Sequence, residues 1–92
     1  MHPSLQTMIA GSLPFVESLD DIYVVEFEYV CENATICAVC SGRFEWIKGS
    51  FKEILAELFE GYSIDSCKIV KFKFQAAYDN DELVTKYAYN SA

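Results

Sequence analysis

The four cysteines are the residues of this sequence with the most evident chemical potential. Cys37 and Cys40 have the C-x-x-C spacing at which two thiolates bind one zinc ion. Further ligands would have to come from Cys31 and Cys67, which stand apart from this pair, as does the single histidine, His2. Within a β-strand the thiols of the pair point to opposite faces, so we expect Cys40 in the core and Cys37 exposed. A Cys-ligated zinc module on these four cysteines is therefore an alternative interpretation, and the main one needs neither metal nor cofactor.

Residues for catalysis are sparse. His2 lies beside the first residue, and no second histidine is present to act as the base for a nucleophile. The four glycines are scattered and form no phosphate-binding loop. Glu26 and Glu28 are expected on the exposed face of a strand, unlike a buried pair of catalytic carboxylates. The sequence therefore predicts a protein that is not an enzyme and has no catalytic residues.

Acidic residues dominate the charge, with fourteen Asp and Glu against seven Lys and Arg and a formal net charge of −7. This balance disfavours direct binding to nucleic acid or to an anionic membrane, because both require basic patches, and it permits binding to a protein with a basic surface. The acids form three clusters: Glu53, Glu57 and Glu60; Glu17, Asp20 and Asp21; and Asp79, Asp81 and Glu82. The first two clusters are the candidate partner-binding residues.

The spacing of Glu53, Glu57 and Glu60 suggests what such a partner would recognise. Carboxylates one helical turn apart stand ~5–6 Å from each other. Successive phosphates of one nucleic-acid strand are separated by a comparable ~6–7 Å. The acidic surface could therefore occupy a basic groove that normally holds nucleic acid, or it could serve only to keep a hydrophobic protein soluble.

The bulk composition indicates one small domain that spans residues 1–92. Hydrophobic residues make up 52% of the chain, which is enough for a compact core. No apolar run approaches the ~20 residues of a membrane span, and the start of the sequence lacks the features of a signal peptide. We therefore expect a cytoplasmic protein with reduced thiols.

A long β-hairpin from Ile22 to Ile47 organises the predicted fold, because apolar side chains alternate with period two along both arms. The turn is expected at Asn33-Ala34. The resulting register pairs Tyr29 with Ala38, Phe27 with Cys40, Val25 with Gly42 and Tyr23 with Phe44. This register places apolar residues together on one face, which the rest of the chain must cover.

A helix is predicted to begin at Ser50, because Ser50-x-x-Glu53 is a capping box in which each side chain satisfies a backbone donor of the other residue. Gly61 is a natural end for this helix. The apolar stripe that would pack on the sheet consists of Phe51, Ile54, Leu55, Leu58 and Phe59.

Two further strands are predicted after this helix. The third strand spans Cys67 to Tyr78, and the fourth spans Leu83 to Tyr89, where a last helix is the competing interpretation. The third strand is expected to face the core with Val70, Phe72, Phe74, Ala76 and Tyr78, and to face outward with Ile69, Lys71 and Lys73. The fourth strand is expected to present Leu83, Thr85, Tyr87 and Tyr89 on one face.

Charge pairing then orders the strands. Glu26 and Glu28 on the first strand suit Lys71 and Lys73 on the third as cross-strand partners. The predicted core, residues 22–92, is therefore an α+β fold of ββαββ topology. Its four-stranded antiparallel sheet has the order 2-1-3-4, with one helix packed on one face.

Residues 1–21 are predicted to form an N-terminal helical or irregular arm on this core. Leu5, Met8, Ile9 and Leu13 have helical spacing, with Gly11 and Pro14 as stop signals. Phe15, Val16 and Leu19 are expected to anchor the arm.

Apolar residues are also expected on the outward face of the hairpin, which suggests a contact surface. The residues concerned are Ile22, Val24, Val30, Val39 and Ile47, with Cys37 beside them. Either the N-terminal arm covers them, or the second strand is an edge used for self-association.

In size, acidity and lack of catalytic groups the chain resembles the small inhibitors that phages make against host defence nucleases, the anti-CRISPR class included. This resemblance of composition implies a non-enzymatic, acidic protein-binding module that blocks a basic, nucleic-acid-handling partner. The alternatives are a small structural or assembly module that homodimerises through an edge strand or apolar patch, and the zinc module.

Overall fold

The computed structural model describes residues 3–31, 34–50, 68–77 and 82–91. Its elements are helix α1 (Leu5–Ser12), a 3-10 turn (Leu13–Phe15), β1 (Tyr23–Cys31), β2 (Ala34–Gly42), helix α2 (described over residues 44–50), β3 (Lys68–Ala77) and β4 (Leu83–Asn90). The strands form one antiparallel sheet in the order β2-β1-β3-β4. The predicted α+β class, four-stranded sheet and 2-1-3-4 order are confirmed. The competing interpretation of a last helix from Leu83 is wrong.

The β1–β2 hairpin forms as predicted, but its register differs by two residues. Tyr23 pairs with Gly42 and Phe27 with Ala38, instead of Phe44 and Cys40. The pairing already begins between Cys31 and Ala34, because alanine is a poor turn residue and joins the strand instead. A shift of two preserves the face that each side chain occupies, so Tyr23 and Phe27 are buried on the core face as expected.

The second strand ends at Gly42, five residues earlier than predicted. Gly42 has φ +150°, and a Cβ there would lie 2.8 Å from the Trp46 ring, so both the backbone and the close contact require glycine. The chain then turns into α2, where the backbone N–H of Ile47 donates to the carbonyl oxygen of Arg43 (3.0 Å). Phe44 and Ile47 are buried because residues three apart share one face of a helix.

Two predictions around α2 are therefore wrong. Ile47, expected on an outward strand face, is fully buried, whereas its neighbour Trp46 is 59% exposed. Ser50 lies within the helix and is not its N-cap. The predicted apolar stripe of residues 51–59 and the helix end at Gly61 lie outside the described residues.

A β-bulge changes which side chains of β3 face the core. Glu28 pairs with Lys71 whereas Tyr29 pairs with Ile69, so Val70 is the extra residue. Ile69 is buried beside Tyr29, and Val70 is half-buried. The predicted orientation of Ile69 and Val70 is thus wrong. The predictions that Phe72, Phe74 and Ala76 face the core are confirmed.

A second bulge acts in the same way on β4. Phe74 pairs with Tyr87 and Gln75 with Thr85, so Lys86 is the extra residue. Tyr87 and Tyr89 share one face, as predicted, and pack against the core. Beyond the bulge it is Val84, opposite Ala76 and 39% exposed, that lies on this side of the sheet, in place of the predicted Leu83 and Thr85.

Helix α1 confirms the helical form of the N-terminal arm. Ser4 is its N-cap, with Oγ accepting the backbone N–H of Thr7 (3.2 Å), and Leu5 and Met8 enter the core. The helix continues through Gly11, which was predicted to stop it. Leu19, predicted as an anchor, is 64% exposed.

One apolar cluster fills the space between the sheet and the helices. Its sheet members include Tyr23, Val25, Phe72 and Phe74, and α1 and α2 contribute to the same cluster. Tyr23 stacks on Phe74 with ring centroids 4.8 Å apart, and Phe44 meets the edge of Phe74 at 6.1 Å. The core thus occupies one face of the sheet and leaves the other face and the ends of the sheet accessible to a partner or ligand.

Candidate functional site

The loop that leads into β1 holds one of the two predicted partner-binding clusters in a defined conformation. Ser18 organises it: its carbonyl oxygen accepts the backbone N–H of Asp21, and its Oγ accepts that of Asp20, each at 3.2 Å. The backbone N–H of Glu17 donates to Tyr23 Oη at 3.1 Å, which ties the loop to the sheet. Glu17, Asp20 and Asp21 are therefore exposed on an ordered turn.

Strand order brings part of the third acidic cluster to the same end of the sheet. Tyr23, at the start of β1, pairs with Ala76, which in turn pairs with Val84 near the start of β4. Neighbouring strands are ~4.8 Å apart, so the starts of β1 and β4 are separated by ~10 Å. Glu82 immediately precedes β4 and is exposed. Its carboxylate thus belongs to the same end of the molecule as Asp20 and Asp21.

Large apolar side chains are interleaved with these carboxylates. Leu19 is 64% exposed and Ile22 is 47% exposed, and Leu83 is also among the exposed large hydrophobic residues. We call this surface the acidic end and define it as Glu17, Leu19, Asp20, Asp21, Ile22, Glu82 and Leu83. Exposed apolar groups next to one another are typical of contact surfaces.

Lys86 forms an ion pair with one carboxylate of the acidic end. Its Nζ lies 3.9 Å from Oε1 of Glu17, whose side chain is 72% exposed. An ion pair of this length and exposure contributes little, of the order of 0–1 kcal/mol. It leaves Glu17 accessible, so a basic partner could compete with Lys86 for this carboxylate.

The predicted carboxylates do not all lie in the described part of the chain. Glu17, Asp20 and Asp21 do, whereas Glu53, Glu57 and Glu60 lie outside it, as do Asp79 and Asp81 of the third cluster. The approach of Glu82 to the Asp20–Asp21 turn was missed in the sequence. The predicted strand order was sufficient to find this approach. In a 2-1-3-4 antiparallel sheet, β1 and β4 both run antiparallel to β3, so their starts lie at the same end of the sheet.

A shallow groove of about 460 Å³ crosses the outer face of the sheet. All four strands contribute to its lining. The residues used below are Glu26 and Glu28 of β1, Cys37 and Val39 of β2, and Lys71 and Lys73 of β3. Glu26 lies directly opposite Lys73, and Glu28 directly opposite Lys71, as predicted. We call this feature the charged groove. The two glutamates of β1 face the two lysines of β3, so their charges balance and these four residues favour neither a cationic nor an anionic ligand.

The predicted outward apolar patch is only partly present. Val39 is 67% exposed and Ile22 is exposed at the acidic end, but Val24 and Val30 are half-buried. Ile47 does not belong to this face at all. The exposed members of the predicted patch are therefore divided between the acidic end and the outer edge of the sheet.

The two thiols of the C-x-x-C pair point to opposite faces, as predicted. Cys37 is exposed in the charged groove and Cys40 is buried in the core. Burial raises the pKa of the Cys40 thiol. Within the described ranges, no group of three or more His, Cys, Asp or Glu side chains is arranged to hold a metal ion.

Among the residues that the structure describes, no helix has the length and apolar character needed to cross a membrane. No family model, curated protein or solved structure matches this chain.

Proposed function

We propose that this protein is a non-enzymatic, acidic binding module that inhibits a partner whose basic surface normally handles nucleic acid. The observation that carries the proposal is the acidic end, where exposed Asp20 and Asp21 lie next to exposed Leu19 and Ile22. A net charge of −7 adds a long-range attraction toward a basic partner.

The two kinds of side chain would play different parts in binding. Carboxylates accelerate the encounter with a basic surface and orient the two proteins, and their effect weakens as salt is added. Leu19 and Ile22 supply apolar area that leaves water on binding, which adds affinity that salt does not screen. The combination favours a protein surface as the partner, since nucleic acid itself would be repelled.

Competition with nucleic acid is the mechanism that this chemistry supports. A protein groove that binds a phosphate backbone presents Lys and Arg side chains at regular intervals. The carboxylates of Asp20, Asp21 and Glu82 could pair with such cations, and the predicted series Glu53, Glu57 and Glu60 would extend the contact. The inhibitor would then occupy the groove and exclude the nucleic acid.

Affinity capture from a nuclease-treated bacterial lysate tests the proposal with two matched variants. Asp20→Asn/Asp21→Asn removes two charges from the acidic end, and Glu26→Gln/Glu28→Gln removes two from the charged groove, so both chains carry a net charge of −5 (−7 + 2). We expect the first variant to bind a captured nucleic-acid-binding protein about tenfold more weakly, and the second to bind like the wild type.

A second variant set addresses the carboxylates known only from the sequence. Glu53→Lys/Glu57→Lys/Glu60→Lys should abolish binding while the circular-dichroism spectrum stays that of a folded protein. If the groove variant loses binding and the Asp20→Asn/Asp21→Asn variant keeps it, the acidic end is not the binding site.

A further inference from the structure

Strand β2 forms an edge of the sheet, and within the described part of the chain it lacks the usual protection of edge strands. Of the four strands that the structure describes, it is the only one without Asp, Glu, Lys or Arg, and it contains no proline. Its side chains are largely accessible, with Val39 67% exposed and Ile36 38% exposed. A long, uncharged, apolar edge presents unpaired backbone N–H and C=O groups to another strand.

The opposite edge of the sheet is protected. Strand β4 has a bulge at Lys86, and bulges and lysines are two devices that prevent edge-to-edge pairing. Its partly buried Lys86 side chain contacts Glu17, so the arm before β1 reaches this edge. Among the residues that the structure describes, this asymmetry identifies β2 as the edge open to a further strand.

We propose that β2 pairs antiparallel with β2 of a second copy of this chain. The strand is self-complementary about Ala38, which lies at its midpoint. With Ala38 opposite its own copy, Cys37 meets Val39, Ile36 meets Cys40 and Thr35 meets Ser41. Each of these three pairs joins side chains of similar polarity on the same face of the sheet, which is the condition for a stable cross-strand pair.

Charge also favours a second copy as the occupant. Two chains with a net charge of −7 repel each other, and the repulsion is smallest where the contact carries no charge. In antiparallel pairing about a two-fold axis, β2 of one copy runs in the opposite direction to β2 of the other. The two acidic ends therefore lie at opposite ends of the combined sheet. The interface therefore brings no acidic cluster of one copy against that of the other.

The dimer would be a continuous eight-stranded sheet in which the two charged grooves share one face. It does not rest on the proposed function, because β2 lies outside the acidic end. Each copy would keep its own acidic end available to a basic partner.

Sedimentation equilibrium of the full chain tests the dimer with two matched variants. Val39→Lys adds a charge to the exposed outer face of β2, and Thr85→Lys adds the same charge to an exposed position of the other edge strand. We expect the wild type and Thr85→Lys to dimerise, and Val39→Lys to raise the dimer dissociation constant about tenfold or more. Thermal unfolding by circular dichroism establishes that each variant is folded.

A cross-link tests the register even if Val39→Lys is too unstable to use. In Val39→Cys the introduced thiol lies opposite Cys37 of the second copy, with Cβ atoms ~4.5–5.5 Å apart, which is wider than an unstrained disulfide but within reach of a short bis-maleimide. Brief treatment with this cross-linker should therefore give a linked dimer whose peptide map joins positions 37 and 39. A wild type that stays monomeric up to about 1 mM, the weak end of specific association, overturns the proposal. So does a dimer that all three chains form equally, or a cross-linked Val39→Cys variant without the 37–39 link.

Discussion

Gly11 is the residue through which helix α1 approaches strand β4. A Cβ at this position would lie 2.7 Å from Tyr87 Oη and 2.9 Å from Cζ, both closer than a normal contact. Tyr87 cannot easily move aside, because its ring stacks on Phe15 at 5.7 Å and meets Phe72 at 6.1 Å. Glycine is therefore needed here for close packing, although its sequence context predicts the end of a helix.

We expect Gly11→Ala to lower the free energy of unfolding by about 1 kcal/mol. Overpacking costs about 1–3 kcal/mol, and the better helix propensity of alanine offsets about 1 kcal/mol of this. Gly49→Ala is the matched control, since Gly49 is also helical but, among the described residues outside its own helical turn, no atom lies within 4 Å of the added Cβ. This control should be stabilised by up to about 1 kcal/mol in the same urea titration. Equal effects at both positions would contradict the packing role of Gly11.

The two thiols of β2 should differ in reactivity. Burial shields Cys40 and raises the pKa of its thiol, so little reactive thiolate forms near neutral pH, whereas Cys37 is exposed. Brief treatment of the folded protein with iodoacetamide, followed by peptide mapping, should label Cys37 at least about tenfold faster than Cys40. In urea the two rates should become similar. Faster labelling of Cys40 in the folded chain would mean that the strand faces are reversed.

At the scale of the elements, the sequence pattern was sufficient to locate three strands but not to place the bulge in β3 or the start of helix α2. Alternation of apolar residues located β1, β3 and β4, and charge complementarity gave the correct neighbour of β1. Alternation could not place the bulge in β3, because Ile69 and Val70 are both apolar and β-branched and either could face the core. Phe44, Trp46 and Ile47 were ambiguous for a similar reason, since a short apolar run satisfies a strand period or a helical one.

The bulge in β3 predicts unequal effects for two adjacent truncations. Ile69 is buried beside Tyr29, so Ile69→Ala should cost about 2–5 kcal/mol of stability, as do other large-to-small core substitutions. Val70 is the half-buried extra residue, so Val70→Ala should cost less than about 1 kcal/mol. Urea denaturation of both variants measures the difference. The reverse order is expected if β3 is an unbroken strand, and it would exclude the bulge.

At the scale of the whole molecule, the sheet order determines more of the candidate site than the local patterns do, although this consequence of the predicted order was missed in the sequence. It brings the starts of β1 and β4 to one end, and with them Asp20, Asp21 and Glu82. Local patterns instead indicated that Leu19 anchors the arm, because an apolar residue is more often buried than exposed. Its exposure depends on how Ser18 folds the loop, which is a tertiary property that the sequence pattern does not contain.

Competition for a captured partner tests the proposed function most directly. The partner is first bound to fluorescently labelled duplex DNA, and the decrease in anisotropy is followed as the wild-type chain or Asp20→Asn/Asp21→Asn is added. We expect the wild type to displace the duplex completely, less effectively as salt rises, and the variant to require about tenfold more protein. Duplex that stays bound at saturating wild-type protein, or equal displacement by both chains, would contradict inhibition through the acidic end.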